Sequence, residues 1–172
     1  MLTLFTYGSY FGLPDGSPFC TKGLMLLRMS GLKHDVAKMS FRQAPKGKAP
    51  YLRDGDTLIA DSYFIQRHLE EAHGIDFSGG YEAARRGVGF ALSRMLEEHF
   101  YFLVLRLRWL DDENFRAGPA QFFKDVPAPL RPLVRSMVRG KQKKALHLQG
   151  LGRHSLAEMT QLAAADMQAV ED

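Results

Sequence analysis

Leu2-Thr3-Leu4-Phe5-Thr6-Tyr7 alternates apolar and polar side chains of β-favouring type, which predicts a strand. Gly8 to Gly16 follows as a loop, punctuated by Gly12, Pro14, Asp15 and Gly16. Ser17-Pro18 has the composition of a helix start, with Ser at the N-cap and Pro in the first helical position. That helix runs through Leu24, Leu27 and Arg28 and stops at Gly31. His34 to Met39 predicts a second short strand, and 43–49 a loop rich in Lys, Gly and Pro. Pro50 to Arg53 and Thr57 to Ile59 flank Asp54-Gly55-Asp56, the pattern of a hairpin with a glycine-bearing turn. Asp61-Ser62 opens another helix, with Phe64, Ile65, His68, Leu69 and Ala72 on one face and Gly74 as its stop.

The order strand-helix-strand, hairpin, helix makes the first strand pair parallel, because it needs a crossover, and the hairpin antiparallel. A mixed four-stranded sheet with helices on its faces is the expected α/β fold of 1–78. Ile75 to Gly80 reads as a linker, and beyond it the strand pattern disappears. Tyr81 to about Leu110 has helical periodicity, Gly118-Pro119 and Pro127-Ala128-Pro129 interrupt it, and Leu130 to Gln149 is helical again. Ser155-Leu156-Ala157-Glu158 is a capping box that starts a last helix. The expected second domain, 81–172, is therefore all-α. The apolar Leu156, Met159, Leu162, Ala163 and Val170 of its last helix need a surface to pack on, so this domain is expected to be truncated or completed by another chain.

Composition narrows the possible functions. Of 172 residues, 45% are hydrophobic and 24% charged, as in a globular chain, and no apolar run reaches the about 18 residues of a membrane span. No transmembrane segment and no signal peptide are expected. The net charge of +4 is too mild to argue for nucleic acid, and the basic residues Arg131 to Arg153 read as a solvated helix face. Cys20 is the single cysteine, which rules out an internal disulfide, and no two histidines have zinc-like spacing with other ligands. No metal is expected, and a reducing cytoplasm suits the chain.

Three features carry candidate chemistry. Ser17 at a helix N-cap sits beside free backbone N–H groups and the positive end of the helix dipole, a place that favours a thiolate or other anion. Cys20, one turn in, feels part of the same field, although a lone cysteine is most often a small buried hydrophobe. Pro50 enters a strand; a cis bond there would turn the Ala49 N–H and C=O outward for a peptide ligand to pair with, although most such bonds are trans. Asp61-Ser62, at the next helix N-terminus, can accept a carboxylate or serve only as an N-cap.

Taken in order on one framework, these segments resemble the N-terminal, thioredoxin-like domain of glutathione S-transferases. Ser-Pro-Phe-Cys lies at the first helix, Ala-Pro before the third strand and Asp-Ser before the next helix, and the resemblance spans roughly 2–77. Phe11 to Asp15 with Ser17 to Lys22, and Gly150 to Ser155, are similar to the branch related to failed-axon-connections proteins and metaxins. The resemblance implies glutathione as co-substrate, with its sulfur bonded by Ser17. It implies a cis Pro50, with Ala49 holding the cysteinyl part and Asp61 and Ser62 the γ-glutamyl end. Phe19 joins the binding set, and Lys48 or Lys38 meets the glycyl carboxylate. Tyr7, at the end of the first strand, and Cys20 are the runners-up to Ser17. The implied activity is attack of the glutathione thiol on an electrophile by a homodimeric transferase. The alternative is a metaxin-like, non-catalytic interaction module using the last helix and the basic 131–144 stretch. Two departures stand out: a longer loop before the first helix, and a helical domain that stops where the family continues.

Overall fold

The computed structural model describes all residues from Met1 to Asp172 and divides into two compact units, Met1–Gly80 and Tyr81–Asp172. The first unit contains β1 (Leu2–Thr6), α1 (Pro18–Ser30), β2 (His34–Lys38), β3 (Tyr51–Asp54), β4 (Thr57–Ala60) and α2 (Ser62–His73). Its four strands are ordered β2-β1-β3-β4; β1 pairs parallel with β2 and antiparallel with β3, and β3 pairs antiparallel with β4. This is the mixed sheet the sequence predicts.

β1 is flanked on both sides, and all five of its residues are buried. Leu2 and Leu4 face one core, with Leu24, Leu27, Leu52, Ile65 and Leu69. Phe5 points to the opposite face, where it joins Ala44, Tyr51 and Ala60. Phe5 and Tyr51 are register partners, and their rings stack at 4.5 Å. The period of two along β1 thus feeds two separate cores. A Cβ on Gly23 would lie 3.4 Å from Leu4 Cδ1 and 3.6 Å from Pro50 Cβ, so this glycine lets α1 settle closely on β1 and Pro50. Gly31 and Gly74, both left-handed, close α1 and α2 as their positions predict. Phe64 departs from the apolar face assigned to it: it is 51% exposed, with the Lys46 ammonium over its ring.

The helical unit contains α3 (Ala83–Met95), a π-helical turn (Leu96–Phe100), α4 (Tyr101–Leu110), α5 (Asp112–Ala117) and a 3-10 turn (Pro119–Phe123). After these come α6 (Arg131–Gln149), a second 3-10 turn (Leu151–Arg153) and α7 (Leu156–Glu171). The long periodic stretch 81–110 is therefore two α-helices joined through a wider turn. One core gathers Leu103, Leu151 and Met159, with Phe100, Leu162 and Ala163 against them; another gathers Phe115, Ala120 and Phe123. Of the apolar residues on α7, Met159, Leu162 and Ala163 pack inward, while Leu156 and Val170 remain exposed. The Ser155–Glu158 capping box forms in full.

Arg139 on α6 caps the C-terminus of α4: Nε donates to the Trp109 carbonyl, Nη2 to the Leu110 carbonyl and the Asp112 carboxylate, and the guanidinium stacks 4.6 Å over Phe115. His99, within the π-helical turn, bonds the nearly buried Asp166 carboxylate at 2.6 Å. Gly150 has φ 113°, and a Cβ on Gly152 would lie 2.6 Å from the Leu146 carbonyl carbon, so the Gly-Leu-Gly turn is set by backbone geometry and close packing.

Candidate functional site

Sheet topology brings the candidate residues to one end of the first unit. β1 ends at Thr6 and β4 at Ala60, while β3, running antiparallel to both, begins at Tyr51. The segments leaving or entering the sheet there are Tyr7 to Ser17, Lys48 to Pro50, and Asp61 to Ser62. Their contacts are direct.

Asp15 organises the first segment. It is 2% exposed, and its carboxylate accepts the Gly8 N–H and the Ser17 N–H, each at 2.7 Å. The loop is further closed by Leu13 N–H to Tyr10 C=O at 2.9 Å and Gly16 N–H to Gly8 C=O at 3.2 Å, so the long Gly8–Gly16 loop is a built structure. Ser17 has extended backbone (φ −110°), its side chain makes no capping bond, and Pro18 occupies the first helical position. Its hydroxyl is directed at the Cys20 sulfur, which the Tyr7 N–H also approaches.

Cys20 itself is fully buried, and burial first, then the Asp15 carboxylate, push its thiol up to about 12. A thiol so placed is protonated near neutral pH and inaccessible, so the geometry speaks against Cys20 as a nucleophile and fits a packing role. Tyr7 is held the same way: its Oη accepts the Ala49 N–H at 3.3 Å, and its pKa is raised, chiefly by burial. The long loop does not carry Tyr7 away from the others, but its hydroxyl is engaged with backbone and favours the neutral form.

The Ala49–Pro50 bond is cis. Ala49 is buried, and its N–H is spent on Tyr7. The Pro50 carbonyl accepts the Asp61 N–H at 3.1 Å, which ties this segment to the start of α2. Asp61 has φ 89°, a region that costs a non-glycine residue about 1–3 kcal/mol. Its carboxylate caps the Tyr63 N–H at 3.2 Å and pairs with Lys48 Nζ at 3.5 Å. Ser62 is 1% exposed, and its Oγ has no hydrogen-bond partner. Phe19 is half-buried in the first turn of α1, and Lys38 is exposed where β2 ends.

Tyr7, Ser17, Cys20, Ala49, Pro50, Lys48 and Asp61 are thus joined by a chain of short contacts, with Ser62 next to Asp61 in sequence; sequence reasoning passed over the hidden member of that chain, Asp15. Between Pro14 and Gly16 it reads as one more loop breaker; only its burial shows it to be an anchor. The helical unit holds a separate cavity of about 770 Å³, lined by Arg106, Arg116, Arg135, Arg139 and Lys143 with Asp112 as its acidic side chain. None of the candidate glutathione-site residues lies in it, whereas Arg135, Arg139 and Lys143 belong to the basic 131–144 stretch. No helix is long and apolar enough to cross a membrane.

Comparison with known proteins identifies the family. Residues 18–114 match the family model of the glutathione S-transferase N-terminal domain. The chain is 28% identical to isoprene-epoxide–glutathione S-transferase of Rhodococcus sp. (strain AD45), over 100% of its own length and 75% of that protein's. It is 27% identical to Failed axon connections of Drosophila melanogaster, over 93% of its length and 41% of that protein's. Among solved structures, the glutathione transferase GSTFuA3 of Phanerochaete chrysosporium superposes with a TM-score of 0.55 at 16% identity, over 97% of this chain and 69% of that one. A glutathione S-transferase of Ceriporiopsis subvermispora, in complex with glutathione, gives 0.54 at 14% identity, over 98% and 71%. These structural likenesses show the fold, a thioredoxin-like unit followed by a helical one. The chain belongs to the glutathione S-transferase superfamily, with Failed axon connections among its relatives.

Proposed function

We propose that the Met1–Gly80 unit binds glutathione and activates its thiol for attack on a small electrophile. The observation that carries this reading is the Ser62 hydroxyl, buried and unpartnered at the N-terminus of α2. Such a group costs free energy unless a ligand oxygen completes it, and beside helix N–H groups the favoured ligand is a carboxylate. Asp61 already holds a cation, the Lys48 ammonium, at 3.5 Å. A ligand presenting an ammonium and a carboxylate on one carbon, as the γ-glutamyl end of glutathione does, would pair with Asp61 and Ser62 together. Its central residue would then lie along Ala49–Pro50, using the Ala49 carbonyl because the N–H is engaged by Tyr7. The thiol would reach the first turn of α1, where the Ser17 hydroxyl would turn from Cys20 to donate to the thiolate.

The family match, the glutathione in a solved relative and the epoxide in the name of a curated one support this reading, and an epoxide is the first electrophile to test. A thiol pKa lowered by about 2 units corresponds to about 2.7 kcal/mol, within reach of one charge-assisted hydrogen bond plus a helix dipole. Titration of bound glutathione by thiolate absorbance tests it. The wild type should show the lowered pKa and Ser17→Ala should lose it, with affinity changed only a few-fold. The proposal fails if glutathione on the wild type titrates like the free tripeptide.

We further propose a homodimer, because α3 buries none of its residues and leaves Val88 and Phe90 exposed; sedimentation tests it. The single buried thiol suits the cytoplasm. A second reading, a non-catalytic module, is favoured by the basic cavity of the helical unit, which suits an acidic partner. Calorimetry with glutathione separates the two: micromolar binding supports the enzyme, and millimolar or absent binding supports the module.

A further inference from the structure

At the far end of β3 from Pro50, four residues or roughly 13 Å along the strand, three metal-ligand side chains meet. Asp54 Oδ2 lies 2.9 Å from His68 Nε2 and 2.7 Å from His73 Nε2, and the three donor atoms all lie within 4.8 Å of one another. We propose that Asp54, His68 and His73 form a binding site for one divalent cation of the zinc class.

The placement is rigid. Asp54 ends β3 and is held in register by Leu2 on one side and Thr57 on the other. His68 and His73 belong to the second half of α2, which Ile65 and Leu69 anchor in the core and Gly74 terminates. The histidines are five residues apart and so about 140° around the helix. They converge only because Asp54 reaches from the neighbouring strand, which is why histidine spacing alone predicts no metal.

The donor set selects the ion. Two imidazoles and one carboxylate suit zinc and its neighbours, whereas calcium and magnesium prefer a shell of oxygens. Tetrahedral zinc with bonds of about 2.0–2.1 Å needs ligand edges of about 3.4 Å. The carboxylate oxygen therefore has to withdraw by about 0.5 Å from His68 Nε2 and about 0.7 Å from His73 Nε2. The side chains are 21%, 25% and 25% exposed, enough for an ion to enter and for water to fill the fourth position.

The test uses tag-free full-length protein. Calorimetric titration with zinc chloride near neutral pH should show one equivalent bound at micromolar affinity or better. His68→Ala, His73→Ala and Asp54→Asn should each weaken it by about 100-fold. Cobalt(II) in place of zinc should give the intense visible bands of a four-coordinate site. On the wild type alone, where folding of variants is not in question, zinc should protect His68 and His73 from diethyl pyrocarbonate while the other histidines continue to react. Glutathione affinity should not change with zinc, so this site stands or falls apart from the proposed function. Absence of saturable binding below millimolar zinc, binding that survives the loss of both histidines, or uniform labelling with and without zinc would each overturn the proposal.

Discussion

Replacing Ser62 by Ala removes a single oxygen and should move two observables in opposite directions. The residue is 1% exposed, and its Oγ has no partner. An unpaired hydroxyl in a protein interior costs about 1–3 kcal/mol, and the atom's own packing returns a few tenths, so its deletion should stabilise the ligand-free protein by about 1 kcal/mol. For a unit the size of Met1–Gly80 that is a rise in melting temperature of about 4–8 °C. Glutathione binding should suffer instead. A hydrogen bond to a carboxylate is worth about 1.5–3 kcal/mol, so Kd should rise by about 10- to 150-fold. Differential scanning calorimetry reads the first effect and isothermal titration the second. A melting temperature that falls would mean the hydroxyl is already satisfied; an affinity that stays put would mean the ligand carboxylate does not reach α2. Either outcome refutes the reasoning.

Asp15→Asn sets an amide donor against either the Gly8 or the Ser17 N–H, and should destabilise the protein by about 2–4 kcal/mol in urea unfolding; a loss under about 0.5 kcal/mol would deny Asp15 its anchoring role. The Cys20 thiol is held up to about 12, above its unfolded value, so the fold favours the protonated form. Stability from this group is full below the unfolded pKa of about 8.5 and falls as pH rises toward the folded one, by about 1.4 kcal/mol per pH unit. Comparing wild type with Cys20→Ala between about pH 8.5 and 10 should remove that slope, and parallel profiles would contradict it. Gly152→Ala drives a methyl to 2.6 Å from the Leu146 carbonyl carbon and should cost the helical unit about 2–3 kcal/mol by thermal melting, with glutathione binding unaffected.

The secondary structure of the first unit was legible because each element carries its own local signal. The alternation in Leu2 to Thr6, the Ser17-Pro18 start, the Gly31 and Gly74 stops and the Asp54-Gly55 turn are all decided within a few residues of chain. The candidate site was legible only as separate pieces: Ser17, Pro50 and Asp61 each have an ordinary explanation, and their order on a known framework joined them. What stayed hidden depends on tertiary placement. Asp15 looks like a solvent-facing turn residue until the loop folds over it, and the raised Tyr7 and Cys20 pKa values follow from that burial. Asp54 and His73 lie nineteen positions apart, in elements that meet only once the sheet is built. The exposure of Phe64, which shares the periodicity of the buried Ile65 and Leu69, is likewise settled only by tertiary packing.

The wide turn at Leu96–Phe100 shifts helical phase. Each π turn holds about one residue more than an α turn, which rotates everything after it by about 100° relative to an unbroken helix. Leu103 and Leu105 point inward, and His99 finds Asp166, only with that extra residue in place. Deleting one position between Leu96 and Phe100 would leave a smooth, well-formed helix with Leu103 and Leu105 turned off the surfaces they now pack on. Chain length at this point therefore sets the phase of the helical core, independently of which side chains fill it.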